Sequence, residues 1–113
     1  KGLQIMPKSV IHCFSQIGDF TIINTSSTID HECKIGKGCH IMGGASLAGR
    51  VKVGNFVTIG TNSTILPDIK IEEGAFIGAG SVVNRDIKKN EVVVGNPAKF
   101  LKKNIHKFDI SFF

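Results

Sequence analysis

Aliphatic residues recur along this chain with a period of six. That is neither the period of two of a half-buried strand nor the 3.6 of a helix. Ile5, Ile11, Ile17, Ile23, Ile29, Ile35, Ile41, Leu47, Val53, Ile59, Ile65, Ile71, Ile77 and Val83 form one unbroken series. Four residues after each comes a small or β-branched side chain, such as Ser27, Cys33, Cys39, Ala45, Val51 or Ser63, and the register runs from Ile5 to Lys88. If the strand were flat, the residue midway between two such inward positions would also point inward. Those midway residues include Pro7, Asp19, His31, Lys37, Gly49, Asn55, Glu73 and Arg85, a set that cannot line a core.

The backbone therefore has to bend at every midway position. Between bends only a short strand remains, and three such walls close into a triangular prism with eighteen residues per coil. Successive coils then pair as parallel strands about 4.8 Å apart. The pattern predicts an all-β parallel β-helix over residues 1–88, with between four and five coils. After Lys88 the period breaks, and residues 89–113 are read as a cap and tail. Within them "AKFLKKNIHKF" suggests a short helical cap with Phe100, Leu101, Ile105 and Phe108 turned inward, covering the last coil as an open repeat requires.

Composition narrows the classes further. The 113 residues suit one domain with a modest core. No apolar run is long enough to span a membrane and no secretory segment opens the chain, so a soluble cytoplasmic protein is expected. Three cysteines fit a reducing compartment better than a disulfide framework. The net charge of +5 is concentrated toward the end, in Lys88, Lys89, Lys99, Lys102, Lys103 and Lys107. These lysines read as a solvated tail or as a contact for a phosphorylated small molecule. No aromatic-interleaved basic stripe points to nucleic acid. Cys33 and Cys39 fall on the inward small-residue position and read as core fillers. His31 falls on a bend facing outward, and Gly49, eighteen residues later, stacks on it one coil up.

With these residues in place, the chain resembles the hexapeptide-repeat acyltransferases. It is most similar to the group of sialic-acid O-acetyltransferases and UDP-4-amino-sugar N-acetyltransferases. The likeness is carried by "INTSSTIDHECKIG", "ASLAGRVKVG", "IGTNSTILPDIKI", "IGAGSVV" and "VVVGNPAK", from Ile5 to Lys99. It implies a left-handed β-helix, which periodicity alone does not give. It also implies acetyl-coenzyme A as co-substrate without a metal, a sugar or sugar-nucleotide acceptor, and a homotrimer with sites between subunits. In residues, it implies His31 as general base with Glu32 tuning it, although Asp30 is an equal candidate for the orienting acid from sequence. Gly49 would meet the thioester carbonyl and Asn24 the acceptor. His40 would lie near the coenzyme, half a coil from His31 on another edge of the same subunit, so that the two histidines meet only across a subunit interface. The coenzyme would run along the bend column Gly43, Thr61 and Ala79. Members of this group usually carry an N-terminal α/β domain holding the sugar nucleotide, and none precedes Lys1 in this sequence.

Other classes fit less well. O-acetylation of another small acceptor such as serine is the nearest alternative. A zinc hydratase of the carbonic anhydrase type needs a close pair of imidazoles among three, which the spacing of His12, His31 and His40 lacks. A non-catalytic scaffold such as an ice-binding prism would show ranks of outward threonines on one face, and these are missing.

Overall fold

The computed structural model describes residues 1–104. Fourteen two-residue strands, numbered in chain order, wind into a parallel β-solenoid of about five turns, consistent with the left-handed β-helix. Face A stacks β1 (Gln4–Ile5), β4 (Ile22–Ile23), β7 (His40–Ile41), β10 (Thr58–Ile59) and β13 (Phe76–Ile77). Face B stacks β2 (Val10–Ile11), β5 (Thr28–Ile29), β8 (Ser46–Leu47), β11 (Thr64–Ile65) and β14 (Val82–Val83). Face C stacks β3 (Gln16–Ile17), β6 (Lys34–Ile35), β9 (Lys52–Val53) and β12 (Lys70–Ile71). Each strand pairs with the one eighteen residues away, so Ile23 lies on Ile41 and Ile41 on Ile59.

The second residue of every strand is the periodic aliphatic, and from Ile23 to Val83 all of these are buried. The small-residue column behind them does more than fill space. Thr21, Ser27 and Ser63 donate to the carbonyls of Gly36, Met42 and Gly78 at 2.7–2.9 Å. Cys33 and Cys39 occupy the same column, with Sγ 3.1 Å from Ala48 O and 3.0 Å from Gly54 O. Where the column holds these Ser, Thr and Cys residues, a carbonyl of the next coil is thereby satisfied by a side chain just long enough to reach it. Burial pushes both thiols above their ordinary pKa, so neither is a nucleophile.

The bends take two residues, and the period alone marked only the first. From Pro7 to Ala79 the residue after each midway position is left-handed: Gly38, Gly44, Gly74 and Gly80, but also Lys8, Phe14, Phe20, Ser26, Glu32, Arg50, Phe56, Asn62 and Asp68, the latter nine with φ between 56° and 64°. Glycine supplies that conformation at no steric cost, whereas the others are held in it by the stacked coils.

The last coil departs from the sequence expectation. Ile71 bridges to Ile87 rather than to residue 89, so the register slips by two between Val83 and Ile87 and does not run unbroken to Lys88. Strand β15 (Glu91–Gly95) then adds a further parallel rung to face A, with Val93 against Ile77. The helical cap is also corrected, because residues 98–103 form strand β16 (Ala98–Lys103), folded back antiparallel on β15. A helix would leave the outer edge of β15 without hydrogen-bond partners, and the tight turn at Gly95–Ala98 returns the chain to fill it. Phe100 and Leu101 are consequently exposed rather than turned inward. Ile105 and Phe108 lie outside the described residues.

Candidate active site

His31 stands at the edge where face B turns into face C. Its backbone is fixed from two sides: its N–H donates to Asp30 Oδ1 at 2.7 Å, and its carbonyl accepts from Arg50 N at 2.9 Å. The imidazole Nδ1 is 3.1 Å from Glu32 Oε1. An ionised carboxylate only accepts, so Nδ1 carries the proton and the neutral ring leaves Nε2 free to take one. Glu32 is therefore the acid on the ring. Asp30, the other candidate, holds the backbone and lies 3.8 Å from His12 Nδ1.

Nε2 sits directly over Gly49. A Cβ on Gly49 would stand 2.8 Å from Nε2 and 2.9 Å from Cε1, so only glycine leaves room for the ring. The Gly49 carbonyl accepts from Asp68 N at 3.1 Å, while its own N–H meets no acceptor among the described residues. The edge thus places a proton-accepting nitrogen beside an unused amide donor.

The period of six gave no warning of one feature of this edge. Arg50, the residue after Gly49, forms a two-pronged pair with Asp68, with Nε–Oδ1 at 2.7 Å and Nη2–Oδ2 at 3.1 Å. The guanidinium holds the Asp68 carboxyl below the usual carboxylate range. Their separation of eighteen residues was the available signal, since it stacks them on adjacent coils.

His40 is placed differently from its expected position. It lies in β7 on the flat of face A rather than on an edge, because it immediately precedes a periodic aliphatic. Asn24 Nδ2 is 3.3 Å from His40 Nε2, and Asn24 Oδ1 accepts from Thr25 N at 2.7 Å. That second bond orients the amide, so its NH₂ faces the ring and His40 Nε2 accepts. Burial pushes the His40 pKa down, which keeps the ring neutral. The structure thus joins Asn24 to His40, and His31 to Glu32 and Gly49, as two separate groups within one chain. Gly43, Thr61 and Ala79 stack at the edge between faces A and B, where Gly43 O accepts from Asn62 N and Thr61 O from Gly80 N. Among the described residues no three His, Cys, Asp or Glu side chains converge as metal ligands, and no helix is long and apolar enough to cross a membrane.

Repeat and fold together define a hexapeptide-repeat β-helix. The bacterial transferase hexapeptide (six repeats) family model matches residues 32–65 and 50–85, and the chain resembles that family in repeat and fold. Three solved structures show the range of the likeness. A mutant of perosamine N-acetyltransferase from Caulobacter crescentus, in complex with CoA and GDP-perosamine, is 32% identical with a TM-score of 0.81; the match covers 90% of this chain and 51% of that one. The acetyltransferase domain of PglB from Neisseria gonorrhoeae, in complex with acetyl coenzyme A, is 33% identical with a TM-score of 0.73, covering 88% and 52%. A hexapeptide transferase family protein from Anaplasma phagocytophilum is 27% identical with a TM-score of 0.88, covering 95% and 68%. The chain therefore spans about half the length of the first two.

Proposed function

We propose that this chain is the β-helix of an acetyl-coenzyme A-dependent acetyltransferase whose acceptor is an amine, or a hydroxyl, of a sugar or sugar nucleotide. The observation that carries the reading is the seating of the His31 imidazole on the bare backbone of Gly49. A thioester supplies an activated acetyl group, and two protein groups suffice to help it react. His31 Nε2 removes the proton from the acceptor nitrogen or oxygen as that atom attacks the carbonyl carbon. The Gly49 N–H donates to the oxygen on which negative charge develops. Glu32, hydrogen-bonded to Nδ1, stabilises the imidazolium so formed. The proton then leaves with the thiol, returning His31 to its neutral form.

His31 and His40 are far apart within one chain, and a homotrimer would bring the edge of one prism against face A of the next. The outward positions of β4, β7, β10 and β13 on face A (Ile22, His40, Thr58 and Phe76) and of β5, β8, β11 and β14 on face B (Thr28, Ser46, Thr64 and Val82) support this, since none of them is a charged residue. In that arrangement Asn24 and His40 of one subunit face the substrates held at His31 of another. The column Gly43, Thr61 and Ala79 offers small side chains and near-bare backbone to the pantetheine arm. The cytoplasm is the expected compartment.

The test is thiol release from acetyl-coenzyme A in the presence of amino-sugar nucleotides. His31→Ala is expected to lower kcat by roughly 10²–10⁴, the usual contribution of a general base. Unchanged turnover in the folded variant would remove His31 from the mechanism.

A further inference from the structure

The three faces of the prism differ sharply in charge. On face C the outward residues of three consecutive rungs are Lys34, Lys52 and Lys70, in direct register. Parallel pairing sets their Cα atoms about 4.8 Å apart. All three are exposed, and none has a carboxylate within ion-pair distance among the described residues. Like charges stacked directly on neighbouring strands oppose folding rather than assist it. A sequence that needed only solubility would intersperse acids, as the Arg50–Asp68 pair does on the adjoining edge.

This ladder is continuous with the His31 edge. The three lysines line a trough of about 490 Å³ together with Glu32, Arg50 and Asp68. Four cations there oppose two carboxylates, one of which is already engaged by Arg50 and the other by His31. Glu72 and Glu73 border the same lysines on the other flank, but among the described residues no carboxylate is within ion-pair distance of the ladder, so its charge is not directly paired and runs along the prism axis away from the imidazole. A lone carboxylate would satisfy a single rung. A group carrying charge along its length meets successive rungs and relieves the repulsion between them.

We propose that the Lys34–Lys52–Lys70 ladder, flanked by Arg50, binds the diphosphate of a nucleotide substrate whose reactive end lies at His31. This deepens the acetyltransferase reading and rests on it for the identity of the reactive end. Two substrates of such a reaction carry a diphosphate, the acyl-bearing coenzyme and a sugar nucleotide, and the ladder's chemistry suits both.

Titration calorimetry on the 113-residue chain tests the proposal, with inorganic pyrophosphate, coenzyme A and UDP as separate probes. Pyrophosphate is expected to bind, and more weakly as salt is raised. Lys52→Gln, at the middle rung, is expected to weaken it roughly tenfold or more, the loss of one charge-assisted contact. Lys8→Gln removes the same charge at a different edge and is expected to change nothing. A parallel loss for coenzyme A assigns the ladder to the acyl donor, and one for UDP assigns it to the acceptor nucleotide. Absence of binding by all three probes overturns the proposal, as does an equal loss in Lys8→Gln, which would report only net charge. Turnover with both KM values untouched by Lys52→Gln overturns the ladder and leaves the acetyltransferase reading intact. Pyrophosphate binding that depends on Lys52, in a chain that transfers no acetyl group, does the reverse.

Discussion

His31 and His40 are nine residues apart, half a coil, and the prism gives them opposite circumstances. His31 sits on an edge, where the chain turns and side chains splay outward. It keeps an acid on Nδ1 and leaves Nε2 facing an unused amide. His40 sits on a flat face, half-buried between the rungs above and below, with Asn24 on its Nε2 and its pKa pushed down. The edge yields a partly exposed imidazole paired with a carboxylate, the arrangement the proposed general base requires. The face yields one held neutral and suited to hydrogen bonding. In a solenoid, phase within the coil decides which chemistry a residue can perform.

That contrast can be broken by substitution. After His31→Ala, the largest expected effect comes from Gly49→Ala. Its Cβ would occupy the space of Nε2, so the ring must swing aside. Because Gly49 does not need a left-handed backbone and the obstructed group is a side-chain tip, thermal stability should stay close to wild type. Turnover should fall on the order of a hundredfold, the cost of misplacing a reacting group by about an ångström. A stable variant with full activity would mean that the ring works from another position.

A smaller effect is expected from Glu32→Gln, which keeps the shape and removes the charge on Nδ1. With both side chains substantially exposed, solvent screens the pair, and kcat should drop roughly threefold to tenfold. Asp30→Asn serves as the comparison. If it shifts the pH–rate profile more than Glu32→Gln does, the roles of the two acids are reversed.

The smallest effect concerns His40 and is read in stability rather than rate. Its folded-state pKa lies below the ordinary 6.5, so the unfolded chain binds this proton more readily. The stability associated with neutral His40 is present above about pH 6.5 and is lost as the pH falls from there through the folded value. His40→Gln keeps a partner for Asn24 and removes the titration. Melting temperature should therefore fall less steeply between pH 7 and pH 5 in the variant than in the parent. Identical slopes would show that burial does not govern this histidine.

Much of the site is legible in the chain once the coil length is known. The eighteen-residue step by spacing alone places Gly49 over His31, and the inward phase of Cys33 and Cys39 removes them as nucleophiles. The same step relates Arg50 to Asp68 and Lys34 to Lys52 and Lys70. Counted linearly, however, positive charge is densest near the C-terminus, and that density hides a ladder whose rungs are spread over thirty-seven residues from Lys34 to Lys70. The choice between Glu32 and Asp30 was not legible. Both flank His31, and only the left-handed backbone of Glu32, with Asp30 capping the amide of His31, separates their roles.

The sequence by itself determined the prism: an unbroken period of six, with small residues at a fixed phase, has one way to bury its aliphatics. Tertiary structure decided what happens where the period stops and where side chains choose partners. The return of Ala98–Lys103 as a strand follows from satisfying the open edge of β15, and the two-residue slip before Ile87 shows only in the bridge between Ile87 and Ile71. That requirement belongs to the assembled sheet and leaves no periodic trace in the chain. The pairing of Asn24 with His40 is of the same kind, because it depends on contact between neighbouring coils and on the orientation of one amide.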